Sequence, residues 1–135
     1  MNKLVGNFIH ANARVLDLGC GDGSLLAFLK KNNQVKGLGL EIDHQKIQEC
    51  LQKDVSVIDQ DIDSGLSNFQ DQSFDAVIMS QSIQALRKPE VALEEITRIG
   101  KEAIISIPNF ANWRCRLQLI FGGTMPISSA LPHDW

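Results

Sequence analysis

The sequence predicts an α/β fold, a doubly wound parallel sheet with helices on both faces. Short apolar runs alternate with helical segments from residue 14 to residue 107, which is the pattern of consecutive βαβ units. The first run stops at three glycines within residues 19–23, and such a turn between a buried strand and a helix is typical of Rossmann-like sheets. Ligands bind at the carboxyl ends of the strands in these sheets, so we expect the functional site there.

Residues 1–135 are predicted to form one domain. The chain has 44% hydrophobic and 21% charged residues, which suits a single hydrophobic core. A net charge of −3 and the lack of a basic run argue against binding to nucleic acid. The sequence has neither an apolar stretch of about 18 residues nor the apolar segment of a signal peptide at its N-terminus. We therefore expect no membrane contact and a cytoplasmic location.

The cysteines of the chain do not follow a metal-site or disulfide pattern. Cys20, Cys50 and Cys115 are odd in number and far apart, and no histidine lies at a ligand spacing from them. Such cysteines are typical of a reducing compartment. The sequence therefore predicts reduced thiols and no metal site.

The first half of the chain contains two strands and three helices in the predicted order. Apolar residues at helical spacing predict a helix over residues 3–10, and the buried strand at 15–18 follows. A second helix over 25–32 leads to a strand at 35–40. Asp43 is a suitable N-cap for a third helix, which places Ile47, Cys50 and Leu51 on one apolar face.

The second half continues the alternation. A short strand is predicted over residues 55–58, and a polar loop with two buried apolar residues over 64–73. The strand FDAVIM at 74–79 precedes a helix that starts at Pro89 and ends before Gly100. The run AIISI at 103–107 is the fifth strand.

The glycine turn is flanked by carboxylates, and this feature indicates the class of ligand. Dinucleotide-binding turns space their glycines G-x-G-x-x-G and hold a pyrophosphate, whereas here Gly23 comes one residue early and Asp17 and Asp22 flank the turn. Carboxylates repel a pyrophosphate and attract a cation. S-adenosylmethionine (SAM) carries an ammonium and a sulfonium group and no phosphate. The turn therefore favours SAM over NAD.

A third carboxylate follows the second strand. Glu41 lies about 20 residues after the glycines, where the acidic residue of a Rossmann-like fingerprint accepts the ribose hydroxyls. We expect Glu41 to hold the ribose of the ligand.

Four stretches carry a resemblance to a known family. Residues 15–23, VLDLGCGDG, resemble the first motif of class I SAM-dependent methyltransferases. Together with SFDAVIMSQSIQAL at 73–86, PNFANWRCRLQL at 108–119 and MPISSALPHDW at 125–135, they resemble the methionine-biosynthesis protein MetW family. The resemblance implies that the chain binds SAM or S-adenosylhomocysteine and is associated with a homoserine O-acyltransferase.

The same resemblance implies that Asp61 and Ile62 hold the adenine. The residues predicted to bind the cofactor are Asp17, Gly19, Cys20, Gly21, Gly23, Glu41, Ile42, Asp61, Ile62 and Ser80. Gln81 and Gln84 either shape a substrate pocket or lie on a helix surface, and no catalytic residue is assigned.

The last part of the chain is predicted to form an interface. Residues 110–121 have the spacing of an amphipathic helix, and a class I methyltransferase sheet has seven strands where five are apparent here. We therefore expect either a shortened core or a chain that has lost its end, with residues 110–135 as an arm that contacts a second copy or the acyltransferase. Two functions stay open, an accessory SAM-binding protein and an active methyltransferase on a small molecule.

Overall fold

The computed structural model describes residues 2–80 and 83–106. Its five strands are all parallel and form one sheet in the order β3-β2-β1-β4-β5. The strands are β1 Arg14–Leu18, β2 Lys36–Glu41, β3 Val57–Asp59, β4 Phe74–Ser80 and β5 Gly100–Ser106.

Helices cover the sheet on both faces, as a doubly wound fold requires. The helices are α1 Asn2–Gly6, α2 Ser24–Asn33, α3 His44–Gln52 and α4 Pro89–Ile99, with short 3-10 turns at Ile62–Ser64 and Ile83–Ala85. Side chains alternate across β1, so Leu16 joins a core cluster with Ile96 of α4, whereas Val15 joins a second cluster with Leu29 of α2. The predicted fold class is therefore confirmed.

The two central strands are almost wholly apolar because both of their faces are buried. From Val15 to Leu18 every residue of β1 is buried, and so are the residues of β4 from Ala76 to Met79. Asp17 is the one polar residue in these two buried runs. A charged side chain in this position costs free energy unless it has a partner or a function.

Several element boundaries differ from the prediction, each for a local reason. Helix α1 ends at Gly6 because the Asn33 side chain donates hydrogen bonds to the backbone carbonyls of Gly6 and Ile9. The donor–acceptor distances are 3.1 and 2.9 Å. Strand β3 begins later than predicted because the Val55 N–H already donates to the Cys50 carbonyl at the end of α3.

Strand β5 begins at Gly100, which the sequence placed between helix and strand. Gly100 pairs with Phe74 of β4, and a Cβ built on it would lie 2.7 Å from Cγ2 of Val77. A glycine lets the two strands approach at this point. Gly100 is therefore the first residue of the strand as well as the end of α4.

The predicted apolar face of α3 is wrong in one residue. Asp43 caps the helix as expected and accepts hydrogen bonds from the N–H groups of Gln45 and Lys46. Cys50 is fully buried, but Leu51 is 61% exposed. Successive residues are about 100° apart around a helix, so the rotation that turns Cys50 to the core turns Leu51 to solvent.

The predicted helix over residues 110–121, the arm 110–135 and Cys115 lie outside the described residues. Among the described helices, none is long and apolar enough to cross a membrane.

The packing of α4 gives a test of the core. Ile96 is fully buried in the core cluster that includes Leu16 of β1 and Val77 of β4, whereas Val91 of the same helix is 46% exposed. We expect Ile96→Ala to lower the free energy of unfolding by about 2–5 kcal/mol because it leaves a cavity. Val91→Ala should change it by less than about 1 kcal/mol. Urea denaturation measures both variants, and equal losses would contradict the placement of α4.

Candidate functional site

A cleft of about 530 Å³ opens at the carboxyl ends of β1, β2 and β4. The chain runs from β1 to β2 on one side and crosses to β4 on the other, and ligands of doubly wound sheets bind at this switch point. Nine of the ten predicted cofactor residues line the cleft: Asp17, Gly19, Cys20, Gly21, Glu41, Ile42, Asp61, Ile62 and Ser80. The structure therefore brings together residues that the sequence spreads over more than 60 positions.

The glycine turn forms one wall of the cleft. Gly19, Gly21 and Gly23 have φ angles of 71, 60 and 80°, which side-chain-bearing residues rarely adopt. A Cβ on Gly21 would meet nothing within 4 Å, so its backbone faces open space. A Cβ on Gly23 would lie 3.0 Å from Sγ of Cys50. Gly23 is therefore needed for packing behind the turn and is not part of the cleft lining.

Glu41 connects the end of β2 to the glycine turn. Its Oε2 accepts the Gly21 N–H at 2.8 Å, and its Oε1 accepts the N–H groups of Ile42 and Asp43 at 2.9 and 3.1 Å. A carboxylate can accept about four hydrogen bonds. Glu41 therefore holds the turn in place and keeps acceptor capacity for a ligand.

Asp17 is buried at the base of the cleft. Its side chain is only 1% exposed, and its Oδ1 has no hydrogen-bond partner among the described residues. Burial, and secondly the charge of Glu41, raise the pKa of Asp17 to about 8. At neutral pH its carboxyl is therefore mainly protonated when no ligand is near.

Asp22 has a different role from Asp17, although the sequence placed both as anions beside the turn. Its carboxylate pairs with the Lys53 ammonium at 2.9 Å and accepts hydrogen bonds from the N–H and hydroxyl of Ser24. The hydrogen bond from the Lys53 ammonium, and secondly those from Ser24, lower the pKa of Asp22. Its charge is balanced by Lys53, so Asp17 and Glu41 determine the charge at the base of the cleft.

The opposite wall follows β3 and β4. Asp61 begins the 3-10 turn by accepting the Asp63 N–H at 3.0 Å, and Ile62 packs on the core. Ile42 is 58% exposed although it borders the cleft, so it adds apolar surface to this wall. Ser80 ends β4 at the rim.

The sequence did not identify all of the lining residues. Lys46 and Gln60 are polar residues that border the cleft and were not predicted. Lys46 lies in the first turn of α3, so the position of the Asp43 cap was a signal that could have found it. Gln60 bonds the Asn68 side chain and the Gly65 carbonyl, a contact across a loop that no local pattern indicates. Gln81 and the side chain of Gln84 lie outside the described residues.

Two thiols support the turn from below. Sγ of Cys20 and Sγ of Cys50 are 3.7 Å apart, and the Cys50 thiol donates to the Gly21 carbonyl at 3.1 Å. Burial raises the pKa of both thiols, and thiols that stay protonated react slowly. Their role at the site is therefore packing.

Comparison with known proteins agrees with the fold and the motifs. The sequence matches the family described as methionine biosynthesis protein MetW over residues 2–135. A relative from Rhodopirellula baltica, named bifunctional methionine biosynthesis protein MetXA/MetW, is 36% identical over 136 residues. That match covers 94% of this chain and 22% of the relative, so the chain spans about a fifth of the relative's length.

Two solved structures show a similar fold. One is a chain of the complex between the Haloferax volcanii Trm112 methyltransferase activator and its proposed methyltransferase, with 28% identity, a TM-score of 0.66 and coverage of 73% of this chain and 46% of that one. The other is a TehB-like SAM-dependent methyltransferase from Corynebacterium glutamicum, with 22% identity, a TM-score of 0.69 and coverage of 90% and 66%. Since the family match extends over nearly the whole chain, this protein belongs to the MetW family of methionine-biosynthesis proteins, and it has the Rossmann-like fold of class I SAM-dependent methyltransferases.

Proposed function

We propose that the cleft binds SAM or S-adenosylhomocysteine and that the protein assists a homoserine O-acyltransferase in methionine biosynthesis. The observation that carries the first part is the arrangement of Asp17, the glycine turn and Glu41 around one cleft at the switch point of the sheet. Each of the three suits a different part of the ligand.

The chemistry of the cleft fits the cofactor. The Oδ1 atom of Asp17 is buried without a partner, and a cationic group of the ligand would supply one. The backbone around Gly21 is open to the methionine end, and Glu41 has acceptor capacity for the ribose hydroxyls. The family resemblance implies that the adenine lies beside Asp61 and Ile62, and this is supported by the position of both residues in the cleft lining.

The proposal of an acyltransferase partner is supported by the bifunctional relative. Its name joins MetXA and MetW in one polypeptide, and this chain corresponds to 22% of it. We take the MetXA portion to be the homoserine O-acyltransferase that the family resemblance implies. Joining two modules in one chain raises their effective concentration, which is useful when they work in contact.

A methyltransferase acting on a small molecule is the second candidate. It is favoured by the fold, because the Corynebacterium structure is a SAM-dependent methyltransferase that aligns with 90% of this chain. A screen with methyl-labelled SAM and small acceptors, including homoserine derivatives, separates the candidates. Label transferred over many turnovers would favour the enzyme, whereas SAM binding without transfer would favour the accessory protein.

The ligand assignment predicts a defined loss of affinity. We expect wild-type protein to bind SAM in a calorimeter and Glu41→Gln to bind it about 10- to 150-fold more weakly, because a charged hydrogen bond contributes about 1.5–3 kcal/mol. The matched control is Glu49→Gln on α3, which lies outside the cleft lining and should bind as wild type does. Equal affinity in wild type and Glu41→Gln would remove the ribose assignment.

The partner assignment predicts a complex. We expect the tagged chain to co-purify with the homoserine O-acyltransferase of the same organism when the two are expressed together. Trp113→Ala combined with Leu117→Asp, in the predicted arm, should abolish the complex because it removes the apolar contacts of an interface. Leu51→Asp, at an exposed position of α3, is the control and should leave the complex intact.

A result that contradicts the partner proposal is equally clear. If the wild-type chain forms no complex with the acyltransferase, and is a monomer by light scattering at high concentration, residues 110–135 are not an interface. If Leu51→Asp alone abolishes the complex, the interface lies on α3 instead.

A further inference from the structure

A second cleft, of about 670 Å³, lies where strands β1, β2 and β4 begin. We call it the amino-end cleft, and the cleft described above the carboxyl-end cleft. Helix α2 and the segment that leads into β3 also contribute to its lining. Its apolar lining residues include Leu26, Val35, Leu38 and Phe74. Small-molecule sites have volumes of about 300–1,000 Å³ and mainly apolar linings, so the amino-end cleft is suited to an organic molecule.

The charge of the amino-end cleft is opposite to that of the carboxyl-end cleft. Its charged lining residues are three cations and one carboxylate: Arg14, Lys30, Lys36 and Asp54. The charged lining residues of the carboxyl-end cleft are five carboxylates and one lysine: Asp17, Asp22, Glu41, Asp61, Asp63 and Lys46. The chain as a whole has a net charge of −3, so the positive cleft is a local feature. An anionic ligand is therefore attracted to the amino-end cleft and repelled from the other.

Arg14 and Lys36 carry the unbalanced charge of the amino-end cleft. Nζ of Lys30 pairs with the Asp54 carboxylate at 2.8 Å and donates to the Asp54 carbonyl at 3.0 Å, so these two charges balance each other. The side chains of Arg14 and Lys36 form no ion pair within residues 2–80 and 83–106. The lining therefore presents two positive charges that an anion could neutralise.

Asp75 lies beside Arg14 but belongs to another set of contacts. Its carboxylate accepts the backbone N–H of Arg14 at 2.8 Å and lies 3.5 Å from Nζ of Lys101. That backbone hydrogen bond is the largest cause of the lowered pKa of Asp75, and the charge of Arg14 is the smallest. The Arg14 guanidinium lies over the ring of Phe74, 5.5 Å from its centroid. A guanidinium stacked on an aromatic face keeps its N–H donors for an anion.

The register of the sheet places Arg14 and Lys36 side by side. They are direct partners at the start of the β1–β2 pair. Two residues further along these strands, Leu16 and Leu38 pack in the core cluster that contains Phe74. Because side chains alternate along a strand, Arg14 and Lys36 lie on the same face of the sheet as these apolar residues. Neighbouring strands are about 4.8 Å apart, so one anionic group can contact both cations.

We propose that the amino-end cleft is a second ligand site, which binds a small organic anion through Arg14 and Lys36. The anionic group is a phosphate or a carboxylate, to which the guanidinium offers paired N–H donors and the ammonium a point charge. The apolar part of the ligand packs on Leu38 and Phe74. The two clefts share no lining residue, so this inference goes beyond the proposed function and does not depend on it.

Four small compounds, titrated into the isotope-labelled chain and followed by NMR, test the class of ligand. Phenyl phosphate and benzoate carry an anionic group on an apolar ring, inorganic phosphate has only the anion, and benzyl alcohol has only the ring. The amide signals of Gly37 and Leu38 report on the amino-end cleft, and that of Gly21 reports on the carboxyl-end cleft.

We expect phenyl phosphate or benzoate to shift the signals of Gly37 and Leu38 and to leave that of Gly21 unchanged. The Kd should be about 1 mM or lower. Inorganic phosphate and benzyl alcohol should bind about tenfold more weakly or less, because each lacks one half of the ligand. The tighter of the two ring-bearing anions identifies the anionic group.

A charge-removing substitution tests the role of the cations. Lys36→Gln changes an exposed side chain, so the fold should be retained. We expect it to bind the tighter anion about tenfold more weakly because a hydrogen bond between charged groups is lost. The matched control is Lys31→Gln, at an exposed lysine of α2 outside both clefts, which should bind as wild type does.

Each of several results would overturn the proposal. These are no shift at Gly37 and Leu38 with any compound up to about 10 mM, a shift at Gly21 instead, and equal affinity for phenyl phosphate, benzoate and either half-ligand. Equal affinity in Lys36→Gln and Lys31→Gln would also overturn it, because the charge of Lys36 would then have no specific role. Failure of SAM to bind leaves this inference in place, and failure of the anions to bind leaves the proposed function in place.

Discussion

The hydrogen bond from the Gly21 N–H to the Glu41 carboxylate, 2.8 Å long, is the contact on which the rest of the site depends. It joins the turn after β1 to the end of β2, and the same carboxylate accepts the next two N–H groups of the chain. The N–H groups of Gly19 and Cys20 also donate to the Leu40 carbonyl of β2, so the turn is fixed to this strand along its first half. A residue predicted to bind the ligand is thus also the residue that shapes the site.

This double role explains the close packing behind the turn. Gly39 of β2 is a neighbour of Cys20, and a Cβ built on it would overlap the Cys20 sulfur. The glycine therefore lets the turn approach the strand closely enough for the bond to Glu41 to form. Cys50 supports the Gly21 carbonyl from the other side. The backbone of the turn is therefore held by the Glu41 carboxylate, the Cys50 thiol and the Leu40 carbonyl.

The fold could be predicted from the sequence because its signals are local. Apolar runs, the Asp43 cap and Pro89 at the start of α4 each indicate an element without knowledge of its neighbours. The boundaries that were wrong depend on distant residues, as Asn33 shows by ending α1. In the same way, Leu51 is exposed because Cys50 packs under a turn that is 30 positions away in the sequence.

The site, like the fold, could be predicted where its signals are local and not where they depend on distant residues. Glycine spacing and the acidic strand ends indicated which residues meet at the cleft, because parallel strands deliver their carboxyl ends to one edge. The sequence could not distinguish Asp17 from Asp22, since both are aspartates beside the same turn. The difference arises from Lys53, which is 31 positions beyond Asp22 in the sequence. Lys53 forms an ion pair with Asp22 and not with Asp17.

Burying Asp17 opposes the stability of the empty fold, and this opposition is itself informative. Proteins tolerate an unpartnered buried carboxyl where function requires it and where the surrounding structure is otherwise consistent. Here the neighbouring strand β4 is apolar and buried from Ala76 to Met79, so the fold can accommodate one unfavourable residue. An asparagine at this position would avoid the cost of charge but could not gain a negative charge when a cation arrives. The packing of the core therefore does not explain a carboxyl at this position, whereas a ligand in the cleft would.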